Sequence, residues 1–366
     1  SSSNYVQADG SLNTTQIWQT TSTWSTTTVS GLSLNTSYTF KTRARNGDNS
    51  TTTLSSASTG IYTLVNIPGT PTTASATTST IDLTIVENSN PASTEYAIQD
   101  VDSSNYVQAD GSLDSSAVWQ ATSTWSAVTV TGLSLNTIYR FKTKARNLDT
   151  TETSFSSASA ELYTLATAPG AITVGNPTGT TLDVTIDTNS NSASTTYAIF
   201  ESNTGYYVAA DNGLDSATAV YRTSTQWGAS GVATVTDLTG NTSYTFTMVA
   251  KNGDDTITAT TTASGTYTLA STPASLTATV NSGSQITLEF TGNSTQYYAK
   301  NTTQGTNSGW TANTNYQFGN LACKTTYSFQ VKGRNGASTE TAYSSSVSAT
   351  TQNCAASAAP PPPAVI

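Results

Sequence analysis

The chain repeats itself. The stretch Asn4-Tyr-Val-Gln-Ala-Asp-Gly-Ser-Leu12 returns as Asn105-Tyr-Val-Gln-Ala-Asp-Gly-Ser-Leu113, 101 positions later. The register holds without a gap through Trp18/Trp119, Trp24/Trp125, Leu32/Leu133, Tyr38/Tyr139 and Asn46/Asn147. A third copy carries Tyr207, Val208, Tyr221, Trp227, Leu238, Tyr244 and Asn252, with an insertion near Gly228 to Gly231. A shorter fourth copy keeps Trp310, Leu321, Tyr327 and Asn335. Such a period is too long for a solenoid unit and suits a domain with its own core. The expectation is a row of small independent domains.

Within each copy the apolar period is two. In the second, Tyr139, Phe141, Thr143 and Ala145 alternate with Arg140, Lys142, Lys144 and Arg146, which predicts a half-buried strand with a basic outer face. Matching strands start at Tyr38, Tyr244 and Tyr327, and Ile81 to Ile85 and Tyr96 to Ile98 read as two more. Asn46-Gly47, Asn252-Gly253 and Asn335-Gly336 follow the long strand and predict type I′ hairpins. Asn147-Leu148 breaks that rule, because Leu tolerates positive φ poorly, so a different loop is expected there. Pro68, Pro71, Pro169 and Pro273 punctuate the starts of copies, and no segment reads as a helix.

The motif Leu-x-x-x-Thr-x-Tyr-x-Phe-x-x-x-Ala-x-Asn, seen as Leu32, Thr36, Tyr38, Phe40, Ala44 and Asn46, resembles the fibronectin type III family. The other copies carry it at Leu133/Tyr139, Leu238/Tyr244 and Leu321/Tyr327, with Gly333 for the Ala in the last. The resemblance implies an all-β chain of tandem fibronectin type III-like β-sandwiches, Ig-like beads on a string. It also implies that Tyr38, Tyr139, Tyr244 and Tyr327 form tyrosine corners, each hydroxyl bonding back to nearby backbone. Family members carry a Trp on strand B. Ile81 to Ile85 has none, so the core must be filled differently. The expected domains are 1–67 (incomplete), 68–168, 169–271 and 272–354 (shorter), followed by an Ala/Pro-rich tail, 355–366.

The first copy lacks the residues that correspond to strands A, B and C. A sandwich without them leaves the inner face of its remaining strands open and their edge unpaired. Two readings stand: the chain was cut from a longer array, or another subunit supplies the missing strands. Pro360 to Pro363 favours an extended rod, so from the tail only Ala364 to Ile366 could add to a sheet.

Composition then excludes chemistries. With no His there is no His-based catalytic triad or dyad and no His-ligated metal, and two Cys cannot build a four-thiolate site. No cofactor, metal site or catalytic residue is expected, and the chain is read as not an enzyme. A net charge of −9 argues against nucleic acid as a partner. No run of 18 apolar residues predicts a membrane span. The opening SSSNYVQADG has no basic or apolar region of a secretory signal, so a signal was removed or the chain belongs to something longer.

Cys323 and Cys354 flank strands F and G of the last copy, and a disulfide between them would add about 3 kcal/mol by closing the loop. The basic stripe of Lys41, Arg43, Arg45, Arg140, Lys142, Lys144 and Arg146 is a candidate face for an acidic glycan or partner. The alternative is pairing across the sheet with strand C, where Glu95 would point outward. In the first copy that strand is missing, so any strand docking there should present acidic residues. Trp18/Trp24 and Trp119/Trp125 lie six apart and share a face if they lie on one strand, as core or as a sugar platform. Asp100, Asp102 and Ser104 have calcium-loop spacing, but Gly111 stands where the loop needs Glu. Asn13, Asn35, Asn49, Asn241, Asn293 and Asn301 begin glycosylation sequons.

The expected function is a structural or adhesive component of a cell-surface structure or extracellular filament. It would join end to end with copies of itself, through strand complementation at the first domain, and glycans are a further candidate partner. Ser/Thr-rich tandem units of this style look like bacterial or archaeal surface proteins. The alternatives are a spacer or glycan-binding region of a secreted polysaccharide-degrading enzyme, and a virion fibre or decoration protein.

Overall fold

The computed structural model describes residues 4–354, so the expected tail at 355–366 lies outside the described residues. The chain divides into two compact units, Ser1–Leu165 and Ala166–Ile366.

In the first unit, Gly69–Ala76, Ile81–Val86 and Val128–Val130 form one antiparallel sheet, with Ile81 opposite Val130 and Leu83 opposite Val128. Pro71 falls where the register shifts between Gly69 and Thr72, so its missing N–H removes no ladder bond. The facing sheet is centred on Glu95–Asp100, flanked by Phe141–Arg146 and by the short pieces Tyr106–Val107 and Gln120–Ala121. The alternation in Ile81–Val86 and Phe141–Arg146 sends every second side chain inward. Ile81, Leu83, Tyr96, Ile98, Val130 and Phe141 are at most 1% exposed. Each such aliphatic or Phe side chain contributes roughly 1.5–3 kcal/mol by leaving water.

Residues 4–64 of the same unit fold differently. Their strands are two-residue fragments, Tyr5–Val6 with Leu12–Asn13 and Ser37–Tyr38 with Ile61–Tyr62. No hydrophobic side chain among residues 4–64 is buried.

The second unit holds two separate cores. One lies between the sheet of Thr173–Gly175, Leu182–Thr185 and Val232–Val235 and the sheet of Arg222–Thr223, Thr196–Glu201, Ser243–Lys251 and Ser264–Tyr267. The other lies between Ala274–Val280, Ile286–Thr291 and Asn315–Phe318 on one side and Gln296–Asn301, Thr326–Arg334 and Val347–Thr350 on the other. Cys323 and Cys354 are joined in a disulfide with Cα atoms 5.3 Å apart. The described repeats with cores are two-layered all-β sandwiches, as the fibronectin type III-like pattern predicts.

Two local expectations are corrected. Single helical turns occur at Thr21–Trp24, Thr122–Trp125 and Ser224–Trp227, where a hydroxyl cap holds the turn at Thr20 and Thr223. The Trp pairs therefore do not lie on one strand. Trp125 and Trp227 end their turns inside the cores, donating Nε1–H to the carbonyls of Tyr96 and Tyr197 at 2.9 Å. The indole of each of these two cores thus comes from a helical turn and not from a strand.

The Asn-Gly hairpins are not type I′. Asn46, Asn147 and Asn335 each accept, through Oδ1, the N–H groups two and four residues ahead. Positive φ falls on the fourth loop residue, at Asn49, Thr150, Asp255 and Ser338. The Gly position has ordinary φ, so Leu148 takes the same loop that Gly47 does. The Asn side chain, not the Gly, organises the turn.

Candidate interaction surface

The predicted corner tyrosines all bond backwards. The hydroxyls of Tyr38, Tyr139, Tyr244 and Tyr327 accept the N–H groups of Ser33, Ser134, Thr239 and Ala322 at 2.8–3.0 Å. This pins the start of the segment that each tyrosine begins, a long strand in the second, third and fourth copies.

The far side of that strand is held by hydroxyls. Phe141, Thr143 and Ala145 each donate N–H to the side-chain oxygen of Ser159, Ser156 and Thr153, at 3.0 Å. Ser159, Ser156 and Thr153 in turn donate their own N–H to the carbonyls of Phe141, Thr143 and Ala145 at 2.8 Å. The first copy repeats this at Phe40/Ser58, Thr42/Ser55 and Ala44/Thr52. Thr261 and Thr258 do so in the third copy, and Ser344 and Thr341 in the fourth. Three residues of one segment thus match two of the strand, and the hydroxyl replaces the carbonyl that a regular ladder would supply. Ten Ser and Thr side chains serve this pairing across the four copies. The signal was a hydroxyl at every third position, which a search for periods of two and 3.6 passes over.

The basic stripe of the second repeat is consumed internally. Arg140 pairs with Asp102 at 2.5 Å, Lys144 with Glu152 at 2.6 Å and Arg146 with Glu95 at 2.7 Å. The Asp102 carboxylate raises the Arg140 pKa further. Lys142 lies over the Phe155 ring at 4.5 Å, and Lys144 and Arg146 lie over Trp119 at 5.1 and 4.6 Å. Tyr221 sits under Lys251, and Trp310 under Lys332 and Arg334. Each such contact at a partly exposed site adds about 0.5–1 kcal/mol. Trp119 and Trp125, expected on one face, serve opposite faces of the same sheet.

The first repeat has the stripe without the partners. Trp18 lies under Arg43 and Arg45, at 5.4 and 4.8 Å, and Arg43 donates to Gln16 Oε1 at 2.5 Å. Among the described residues, Lys41, Arg43 and Arg45 meet no carboxylate within ion-pair distance, and the main-chain groups of Thr39, Lys41 and Arg43 meet no partner. Phe40 on this strand, and Leu54, Ile61 and Leu64 on the segment paired along its other edge, are exposed by 37, 54, 66 and 63%. Phe141, one period later than Phe40, is 0% exposed. An open strand edge, an apolar face and three cations without carboxylate partners coincide at residues 37–64.

Three of the sequons are corrected. Asn35 and Asn301 are buried, at 5 and 0% exposure. Asn35 spans a junction between repeats: its Nδ2 donates to Ser93 Oγ at 3.1 Å and its Oδ1 accepts Leu148 N–H at 2.9 Å. Asn147 answers by donating to the Thr63 carbonyl at 3.2 Å. Within the second unit, Asn241 Oδ1 accepts Gly336 N–H at 3.0 Å and Asn335 donates to the Thr268 carbonyl at 3.0 Å. Asn293 receives Asn241 Nδ2–H on its carbonyl and Ser271 N–H on Oδ1. Asn301 caps its own turn, accepting from Thr303 and Gln304. Asn35 and Asn301 are buried and the Asn241 amide is engaged through both its atoms, which leaves no room for a glycan at these three. Asn13, Asn49 and Asn293 are exposed.

The calcium-like spacing is likewise structural. Asp100 is buried and accepts Ser103 N–H at 3.0 Å, while Asp102 is held by Arg140. Among the described residues, no group of three or more acidic or Cys side chains could hold a metal ion. No helix among them is long and apolar enough to cross a membrane.

No family profile matches the chain, and no curated protein matches it. Among solved structures it is similar to the FN1–FN3 domains of chicken CNTN1, at 14% identity over 78% of this chain and 99% of that one, with a TM-score of 0.27. It is also similar to a two fibronectin type III domain segment from chicken tenascin, at 16% identity over 50% of this chain and 99% of that one, with a TM-score of 0.35. At this level the likeness extends no further than the sandwich fold already read from the strand order.

Proposed function

We propose that the chain is an extracellular structural or adhesive protein, a repeating component of a cell-surface structure or filament that joins end to end with copies of itself. Its beads are read as 68–168, 169–271 and 272–354, with 1–67 as the joining element. What supports this reading is the run of repeats tied bead to bead within each unit by Asn35, Asn147, Asn241 and Asn335, with exposed apolar side chains at Phe40, Leu54, Ile61 and Leu64. The disulfide fits an oxidising compartment. The Asn-mediated junctions within each unit suit a chain that carries load, since they stiffen the passage from one bead to the next.

The test is size-exclusion chromatography with light scattering on the whole chain over a range of concentrations. Species well above the 38.0 kDa monomer are expected. They should diminish when Phe40→Ser and Ile61→Ser make the open face polar. A monodisperse monomer at all concentrations would overturn self-joining.

A further inference from the structure

The outward sheet face of the last repeat differs from that of the second at the positions that set its charge. In the second repeat Glu95, Ala97 and Gln99 lie opposite Arg146, Lys144 and Lys142. In the last, Gln296, Tyr298 and Lys300 lie opposite Arg334, Lys332 and Gln330. These residues alternate with buried ones along both strands, so they share one face of the sheet. Gln296 stands where Glu95 does. Arg334 Nε therefore donates to a neutral amide, Gln296 Oε1, at 2.8 Å, where Arg146 pairs with a carboxylate. Lys332 pairs with Glu340. Among the described residues, Lys300 meets no carboxylate within ion-pair distance. Three cations thus share this face with one carboxylate, whereas in the second repeat Arg140, Lys144 and Arg146 each have one. Residues 272–354 hold Lys300, Lys324, Lys332 and Arg334 against Glu289 and Glu340, an excess of positive charge in a chain whose net charge is −9.

The same face carries three aromatic rings. Trp310 lies under Lys332 and Arg334, at 5.4 and 4.5 Å, and the Tyr298 ring is 5.5 Å from that of Trp310. Tyr343 is 37% exposed, and the Lys300 and Lys332 ammonium groups lie 5.9 and 5.2 Å from its ring. Tyr298 takes the place of Ala97, so the last repeat adds a ring beside the position where it drops a carboxylate. A ring offers an apolar plane to C–H groups, and a neighbouring cation offers charge to an anion. Together they suit a flat, hydroxylated, anionic body. An extended peptide fits less well. Thr326–Arg334 is paired along both edges, and Gln296–Asn301 is bridged on its outer edge at Thr311 and Asn307, so the main chain here has no open ladder to share.

We propose that this face of the last repeat binds an acidic saccharide. A uronate ring stacks on Tyr343, and its carboxylate pairs with Lys300, the cation without a carboxylate, with Arg334 as the second positive charge. The matching face of the second repeat is neutralised from within and does not bind. This binding is independent of whether copies of the chain join.

Calorimetric titration of the full chain with tetragalacturonate and with a hyaluronan tetrasaccharide tests the proposal. At least one should bind at low salt with a Kd below about 10 mM. Its carboxyl methyl ester should bind at least fivefold more weakly, and 1 M salt should remove most of that difference. Lys300→Gln and Tyr343→Ser should each weaken binding about fivefold. Gln296→Glu, which restores the carboxylate of the second repeat, should weaken it as well. Glu340→Gln frees Lys332 and should tighten binding at least twofold, a gain that a misfolded variant cannot give. Lys142→Gln and Phe155→Ser, in the second repeat, should change nothing. Binding of neither sugar, equal binding of the ester, or unchanged affinity in Lys300→Gln and Tyr343→Ser would each overturn the proposal. Equal affinity for a tetraglutamate peptide would overturn the sugar and assign the face to an acidic protein.

Discussion

The first and second repeats share most of their sequence from Asn4 and Asn105 onward, yet only one has a core. Trp125, Leu133 and Phe141 are buried at 6, 6 and 0% exposure, whereas no hydrophobic side chain among residues 4–64 is. The difference lies in residues 68–104, which supply Ile81, Leu83, Tyr96 and Ile98 from the opposite layer. The corner tyrosine and the hydroxyl rungs are present in both repeats. Local hydrogen bonding thus follows local sequence. Burial, which makes most of the stability, needs the second layer.

The comparison is sharpest at its central residue. Phe141→Ala should destabilise the second repeat by about 3–5 kcal/mol, and Phe40→Ala should cost the unjoined chain less than about 1 kcal/mol. Denaturant unfolding with exchange resolved by repeat measures both. Equal costs would mean that the first repeat has a core in solution. Ser159→Ala comes next. It leaves the buried N–H of Phe141 without an acceptor, for a loss of about 1–3 kcal/mol, and Ser58→Ala should cost a few tenths because water reaches Phe40.

The alkaline limit offers a third contrast. Burial pushes the Tyr96 hydroxyl up to about 12, and burial raises Tyr197 and Tyr297 as well. A raised folded pKa favours the protonated fold. Stability is therefore full below the ordinary tyrosine value of 10 and falls as pH rises from 10 towards 12. Thermal unfolding against pH should show the cored repeats weakening across that window, with residues 4–64 unaffected because they hold no matching buried Tyr. The smallest effect is Glu95→Gln. It weakens the partly exposed pair with Arg146, costing below about 1 kcal/mol and less in high salt.

Much of this was legible from the residues alone. The 101-residue period, the two-residue alternation and the corner motif gave the sandwiches and their corners. The disulfide followed from where two cysteines fall relative to strands F and G. Other features were not legible. Trp119 and Trp125 were expected to share a face, but a single helical turn between them sends one inward and the other onto the cations. Asn35 and Asn241 read as sequons, because nothing local shows that another repeat will pack on them. Leu148 in a loop expected to need Gly was explained only by the hydrogen bonds of Asn147.

Sequence by itself determined the strands, their inward and outward faces, the corners and the basic stripes, because these depend on alternation and on contacts a few residues away. The tertiary structure decided which cations are neutralised, which amides lock junctions and which apolar face stays open. Those outcomes depend on groups tens of residues apart, brought together only when two layers close over each other.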